Sequence, residues 1–180
     1  MDLYLLRHGV AVPRGTRGYA NDRTRPLTPE GRRRLAAVAL GMRTLGLKFD
    51  AIFSSPYVRA RETAEVVARR LDMDRHVATS PLLAPDADMA RLLSEIDTMV
   101  SRASARVLLV GHEPDLSRLA STLVFGDDGG LIKLRKGGLI KLSVDEWQRG
   151  RRARLEFCLT PEQLRLLGST TGSHEDLEGL

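Results

Sequence analysis

The sequence predicts an α/β fold, a three-layer α/β/α arrangement in which a central, mostly parallel sheet is flanked by helices. Three observations carry that prediction. Short continuous apolar runs, Leu3-Tyr4-Leu5-Leu6, Ala51-Ile52-Phe53 and Val107-Leu108-Leu109-Val110, have the solid hydrophobicity of strands buried on both faces. Stretches with apolar residues at helical spacing lie between them, so strands and helices alternate. Two of the runs also end alike, in Arg7-His8-Gly9 and in Gly111-His112. Ligands of open α/β sheets bind in the crevice outside the carboxyl ends of the strands, so this placement of two histidines points to an active site.

Taken in order, Leu3-Leu6 is the first strand, and the stretch from Ala11 to Pro26, with Pro13, Gly15, Gly18 and several arginines, reads as a mobile basic loop. Thr28-Pro29-Glu30 supplies an N-cap, a first-turn proline and an acid, and Leu35, Val38, Ala39 and Met42 then recur on one helical face before Gly46 stops the helix. Ala51-Phe53 is the second strand. Ser54-Ser55-Pro56 is expected to open the second helix, with Ala64, Val67, Ala68 and Leu71 as its buried stripe. A short strand near Val77, a helix over 88–100, the strand Val107-Val110 and a helix over 115–124 continue the alternation. Gly129-Gly130-Leu131-Ile132-Lys133-Leu134 recurs as Gly137-Gly138-Leu139-Ile140-Lys141-Leu142, which suggests two strands around an Arg135-Lys136 turn. Leu155-Leu159 reads as a last strand, and Thr160-Pro161-Glu162-Gln163 has capping-box spacing for a short final helix.

With 180 residues and 42% hydrophobic composition, the chain suits one domain over 1–167, followed by a polar, flexible tail over 168–180. The single cysteine, Cys158, allows no intramolecular disulfide and fits a reducing compartment; within an apolar strand it reads as a small hydrophobe. No apolar segment approaches the ~20 residues of a membrane span, and Asp2 stands where a signal peptide would carry basic residues, so no membrane association and a cytoplasmic location are expected. A net charge of +5 favours anionic ligands. Only 4% of residues are aromatic, too few for a stacking platform, which argues against nucleic acid as a partner.

Arg59 is the second anchor of the functional reading. It falls in the first turn of a helix, where the macrodipole disfavours a cation unless an anion lies between them. Free helix N–H groups and a guanidinium together make a phosphate site. Arg7 beside His8 lowers the imidazole pKa and keeps the ring neutral and nucleophilic, while His112, near a helix start marked by Pro114, suits a phosphoryl stabiliser. No metal is expected, because His8, His76, His112 and His174 lack the local spacing of a zinc site. Arg32-Arg33-Arg34 and the arginines between 149 and 154 read as solvated faces.

Four motifs, Leu5-Leu6-Arg7-His8-Gly9, Arg25-Pro26-Leu27-Thr28-Pro29-Glu30-Gly31, Ser54-Ser55-Pro56-Tyr57-Val58-Arg59-Ala60-Arg61-Glu62-Thr63-Ala64 and Val110-Gly111-His112-Glu113-Pro114, stand in an order that resembles the histidine phosphatase superfamily, and within it the SixA-type phosphohistidine phosphatases. The resemblance implies a phosphoglycerate mutase-like fold and a phosphatase that needs no cofactor. In it His8 becomes phosphorylated while Arg7, Arg59 and His112 surround the phosphoryl oxygens, with Arg25 and Ser55 lining the pocket. A phosphorylated protein or small compound would be the substrate and inorganic phosphate the product. Val10 departs from related short sequences, which often carry an acid there, and the chain lacks the mid-chain insertion that supplies an acid in larger relatives. Asp22, Asp86, Asp88 and Glu113 are the candidates for the general acid. A missing acid favours phosphohistidine, because neutral imidazole leaves phosphorus more easily than an alkoxide. The alternatives are a small-molecule phosphomonoesterase or mutase, and a non-catalytic phosphate-binding module.

Overall fold

In a computed structural model, which describes residues 1–73, 77–102, 106–127, 129, 132–144 and 153–169, six strands and five helices alternate. The chain runs β1 (Asp2–Arg7), α1 (Pro29–Thr44), β2 (Ala51–Ser54), α2 (Val58–Arg70), β3 (Val77–Thr79), α3 (Met89–Arg102), β4 (Arg106–Gly111), α4 (Asp115–Phe125), β5 (Leu139–Ser143), β6 (Arg154–Leu159) and α5 (Pro161–Ser169). The strands form one mixed sheet in the order β3-β2-β4-β1-β5-β6. Neighbours from β3 to β1 pair in parallel, and β5 is antiparallel to both β1 and β6.

Both faces of the sheet are covered, which explains the solid apolar runs. Tyr4 and Leu6 of β1 and Leu108 and Val110 of β4 pack on one face against Leu35, Val38 and Met42 of α1, Ala64 and Val67 of α2 and Leu164 of α5. Leu3, Leu5, Val107 and Leu109 pack on the other, against Leu92 and Ile96 of α3 and Leu116 and Leu119 of α4. β1 therefore leads into a helix on one face and its neighbour β4 into a helix on the opposite face. Their chains diverge at the carboxyl ends and leave a crevice between them.

Local chemistry sets the helix ends. Thr28 Oγ1 accepts the Gly31 N–H at 2.9 Å to start α1, and Gly46, at a φ of 67°, follows its end in the left-handed region. Thr160 and Gln163 bond reciprocally, 2.8 and 3.2 Å, at the head of α5. Among the described residues no helix is long and apolar enough to cross a membrane.

Several expectations need correction. Among the described residues only the second glycine-rich copy supplies a strand, β5. Residues 132–134 of the first form none, because β5 already pairs with β1 and β6 on its two edges; residues 130–131 lie outside the described residues. Helix α2 begins at Val58, and Ser55 does not cap it. Leu71 lies past its end, half-buried. Cys158 is exposed, since β6 is an edge strand with most of its residues open to solvent. Helix α5 runs to Ser169, so Gly168 and Ser169 are helical; the rest of the expected tail, His76, His174 and residues 149–152 lie outside the described residues.

Candidate active site

The parallel register of β1 and β4, with Arg7 opposite Gly111, sets His8 and His112 side by side at the crevice, their ring centroids 5.0 Å apart. Both are buried, at 7% and 3% exposure. His8 Nδ1 lies 2.7 Å from the Gly9 carbonyl oxygen. A carbonyl can only accept, so the ring proton sits on Nδ1 and Nε2 presents its lone pair. Burial, followed by the neighbouring His112, Arg59 and Arg7, pushes His8 down to about 2, against the opposing pull of the Gly9 carbonyl. At neutral pH the ring is uncharged.

Arg59, in the first turn of α2 and 2% exposed, ties the two histidines together. Its Nε donates to His8 Nε2 at 3.2 Å, and its Nη2 lies 3.3 Å from His112 Nδ1. His112 Nδ1 thus accepts, and its Nε2–H donates to Ser55 Oγ at 2.8 Å, where the Tyr57 N–H also points at 3.2 Å. Burial and the Arg59 charge bring His112 down to about 3. Thr63 locks the arrangement from behind, accepting the Gly9 N–H at 3.1 Å and donating to the Arg59 carbonyl at 2.7 Å.

The basic loop does not stand away from the site. Around a 3-10 turn over Asp22–Thr24, Asp22 reaches the crevice, its carboxylate 2.9 Å from Arg59 Nη2 and 2.6 and 2.8 Å from Arg25 Nη2 and Nε. Arg59 Nη1 also bonds the Asp22 carbonyl at 2.8 Å. Burial alone would raise the Asp22 pKa, but the bonds from Arg25 and the Arg59 charge outweigh it and hold the group at about 2. An internal carboxylate therefore occupies the guanidinium fork that an anionic ligand would take. Arg25 is buried beside it, with a second bond to the Val12 carbonyl.

Arg7 donates from Nη1 to the Leu134 carbonyl at 2.9 Å, while its Nε is buried without a partner. Lys136 is a fourth cation here: burial, then the charges of Arg7, Arg25 and Arg59, lower its pKa. The sequence reading missed it. The one signal was its position between two Gly-Gly pairs; the second pair lies against Arg7 through the Gly137 N–H to Arg7 carbonyl bond of 3.0 Å.

Of the remaining acid candidates, Glu113 turns into α4 and accepts from the Ser117 N–H at 3.2 Å and the Ser117 hydroxyl at 2.5 Å; burial raises its pKa. Asp88 caps α3, accepting from the N–H groups of Ala90 and Arg91 at 2.9 and 3.1 Å. Asp86, at a φ of 60°, stands beside Asp115, whose carboxylate accepts its N–H at 3.2 Å. Among the described residues no carboxylate bonds a ring nitrogen of His8 or His112. The arrangement can cradle a tetrahedral oxyanion among guanidiniums and aim a nitrogen lone pair at its centre.

The fold agrees with the comparisons to known proteins. The sequence model of the histidine phosphatase superfamily, branch 1, matches residues 3–84, and the chain belongs to that superfamily, as one of its phosphatases. Within it, the chain is similar to phosphohistidine phosphatase SixA of Escherichia coli K12, with 26% identity over 71% of this chain and 76% of that one. It is 39% identical to an uncharacterized protein of Picosynechococcus sp. over 79% of this chain and 84% of the relative. The structure of the protein histidine phosphatase SixA complexed with tungstate has the same fold, with a TM-score of 0.78 and 22% identity over 91% of this chain and 99% of that one.

Proposed function

We propose that the protein hydrolyses phosphohistidine carried on a protein, through a covalent phospho-His8 intermediate. The His8 Nε2 lone pair attacks phosphorus in line with the substrate P–N bond, which breaks and returns its electron pair to the departing imidazole. A substrate ring protonated on its second nitrogen leaves as neutral imidazole and takes no further proton. Water then attacks phospho-His8, releases inorganic phosphate and restores the Nε2 lone pair. Through both steps the Gly9 carbonyl keeps the proton on His8 Nδ1, so the phospho-enzyme is itself primed to leave as neutral imidazole. Arg59, Arg25 and Arg7 receive the phosphoryl oxygens, Arg59 and Arg25 by exchanging Asp22 for the substrate; His112, fixed by Ser55, faces them from β4.

The observation that carries the substrate class is the state of the carboxylates. Before substrate displaces it Asp22 is held ionised at about 2 by Arg25 and Arg59, while Glu113 is committed to Ser117 and Asp88 to its helix cap, so none of these three stands ready to protonate an alkoxide as substrate arrives. Similarity to SixA supports the same reading. Brief mixing with a ³²P-phosphohistidine peptide and alkaline quench should leave label on His8, and His8→Asn should lose turnover by on the order of a thousandfold or more. Label on another residue, or turnover surviving in His8→Asn, would reject the mechanism. Faster hydrolysis of alkyl phosphates that collapses in Asp86→Asn or Glu113→Gln would instead make the enzyme a phosphomonoesterase.

A further inference from the structure

Beside the catalytic crevice, on the α1 and α5 side of the sheet, lies a cleft of about 330 Å³ that no step of the proposed hydrolysis uses. Among the described residues its charged lining is Arg7, Arg34, Arg135, Lys136 and Arg165, with Glu162 as the one acid. Glu162 stands 3.7 Å from Arg135, and Arg34 has its own partner in Glu30 at 2.7 Å. Leu35, Val38 and Pro161 give the cleft an apolar floor. Arg7 and Lys136 belong to both spaces: Arg7 directly precedes His8 and keeps a buried Nε without a partner, and Lys136 feels the charges of Arg7, Arg25 and Arg59. A cleft with cations on its rim, an apolar floor and a volume at the small end of ligand pockets takes an organic anion.

We infer that this cleft binds a second anionic group of the substrate, a carboxylate or phosphate tethered to the phosphoryl group that His8 attacks. The inference rests on the phosphoryl-binding reading of the crevice and adds a selection rule to it: the preferred substrate carries a negative charge on its non-transferred part. That charge comes either from a small doubly anionic compound or from an acidic side chain next to the phosphorylated residue of a protein.

Calorimetry on the His8→Ala protein tests binding apart from turnover. The probes are ω-carboxyalkyl phosphates of two to six carbons, the matching alkyl phosphates, and phosphohistidine peptides flanked by glutamate or by alanine. At one chain length the carboxyalkyl phosphate should bind about tenfold tighter than its alkyl partner, roughly one charge-assisted contact. Arg34→Gln/Arg165→Gln should erase that advantage, and Glu162→Gln should enlarge it. An advantage confined to the glutamate peptide assigns the anion to a protein substrate, and one confined to the small probes assigns it to a metabolite. Equal binding of all charged and uncharged pairs, or an advantage untouched by the double variant, overturns the inference. Failure of the plain alkyl phosphate and the alanine peptide to bind, with the carboxyl-bearing probes still held, would count against the crevice reading alone.

Discussion

Both crevice histidines enter the folded state neutral, and the dependence of stability on pH follows from that. In the unfolded chain each takes up a proton near ~6.5. In the folded protein, burial first, then the neighbouring His112 ring and the charges of Arg59 and Arg7 hold His8 at about 2, while burial and Arg59 hold His112 at about 3. Above ~6.5 neither state binds the protons and nothing is lost. Below it the unfolded chain binds protons that the native state refuses, so stability falls by about 1.4 kcal/mol per pH unit for each ring, or about 2.7 for the pair. At pH 4.5 the loss is on the order of 5 kcal/mol, comparable to the whole stability of a marginal domain. Asp22 acts in a lower window: held at about 2, its stabilisation is complete above ~4 and disappears only as the pH falls towards 2. Glu113, raised by burial, works in the opposite sense, gaining stability as it is protonated. Urea denaturation followed by circular dichroism at half-unit steps from pH 7 to 4.5 measures the slope, and His8→Gln/His112→Gln should remove most of it. A flat profile over that range, or the same slope in the double variant, would refute the neutral-histidine account.

Asp22→Asn removes the charge that occupies the Arg25 and Arg59 fork, so inorganic phosphate should bind about tenfold tighter by calorimetry; weaker binding would show that Asp22 organises the fork rather than competes for it. Thr63→Val leaves the buried Gly9 N–H without its acceptor and should cost about 1–3 kcal/mol in urea denaturation, with kcat falling alongside and Thr63→Ser restoring both. Gly41→Ala should destabilise, against the usual gain of alanine in a helix, because a Cβ there would lie 1.8 Å from the Leu164 carbonyl oxygen of α5; the expected loss is about 1–3 kcal/mol, and a stabilised variant would contradict the close helix contact.

The parts of the fold written as periodic patterns were legible in the sequence. Leu3-Leu6 and Val107-Val110 announced strands covered on both sides, and the Thr28 and Thr160 caps announced helix starts, because these signals act within a few residues. Where distant pairing decides, local reading failed. Residues 132–134 look as strand-like as residues 140–142, yet β5 has its two neighbours and leaves no edge for another strand. Cys158 sits in an apolar string, but the string forms an edge, so the residue faces solvent. The same division holds at the crevice. His8 and His112 were readable because a strand end aims them, and Arg59 because a helix start places it. Lys136 depends on a glycine-rich loop folding back onto Arg7, and the bridging position of Asp22 depends on a 3-10 turn within a loop of no visible period.

The choice of imidazole as the proposed nucleophile follows from the charge around it. Lys136 feels the charges of Arg7, Arg25 and Arg59, and among the described residues Asp22 answers Arg25 and Arg59 while Glu113 acts on Arg7. A carboxylate nucleophile in that field would be ion-paired by the same guanidiniums that must hold the phosphoryl group, and its electron pair would be spent before substrate arrived. An imidazole held neutral by burial is not ion-paired in that way: the more positive the surroundings, the more firmly the ring stays unprotonated, and the 3.2 Å bond that its Nε2 accepts from Arg59 is one that the incoming phosphoryl group takes over. The cations thus serve both halves of the proposed reaction, drawing in a dianion and keeping His8 unprotonated to meet it. Asp22 then balances the charge between turnovers, because a cluster of four cations with no anion among them would repel itself apart.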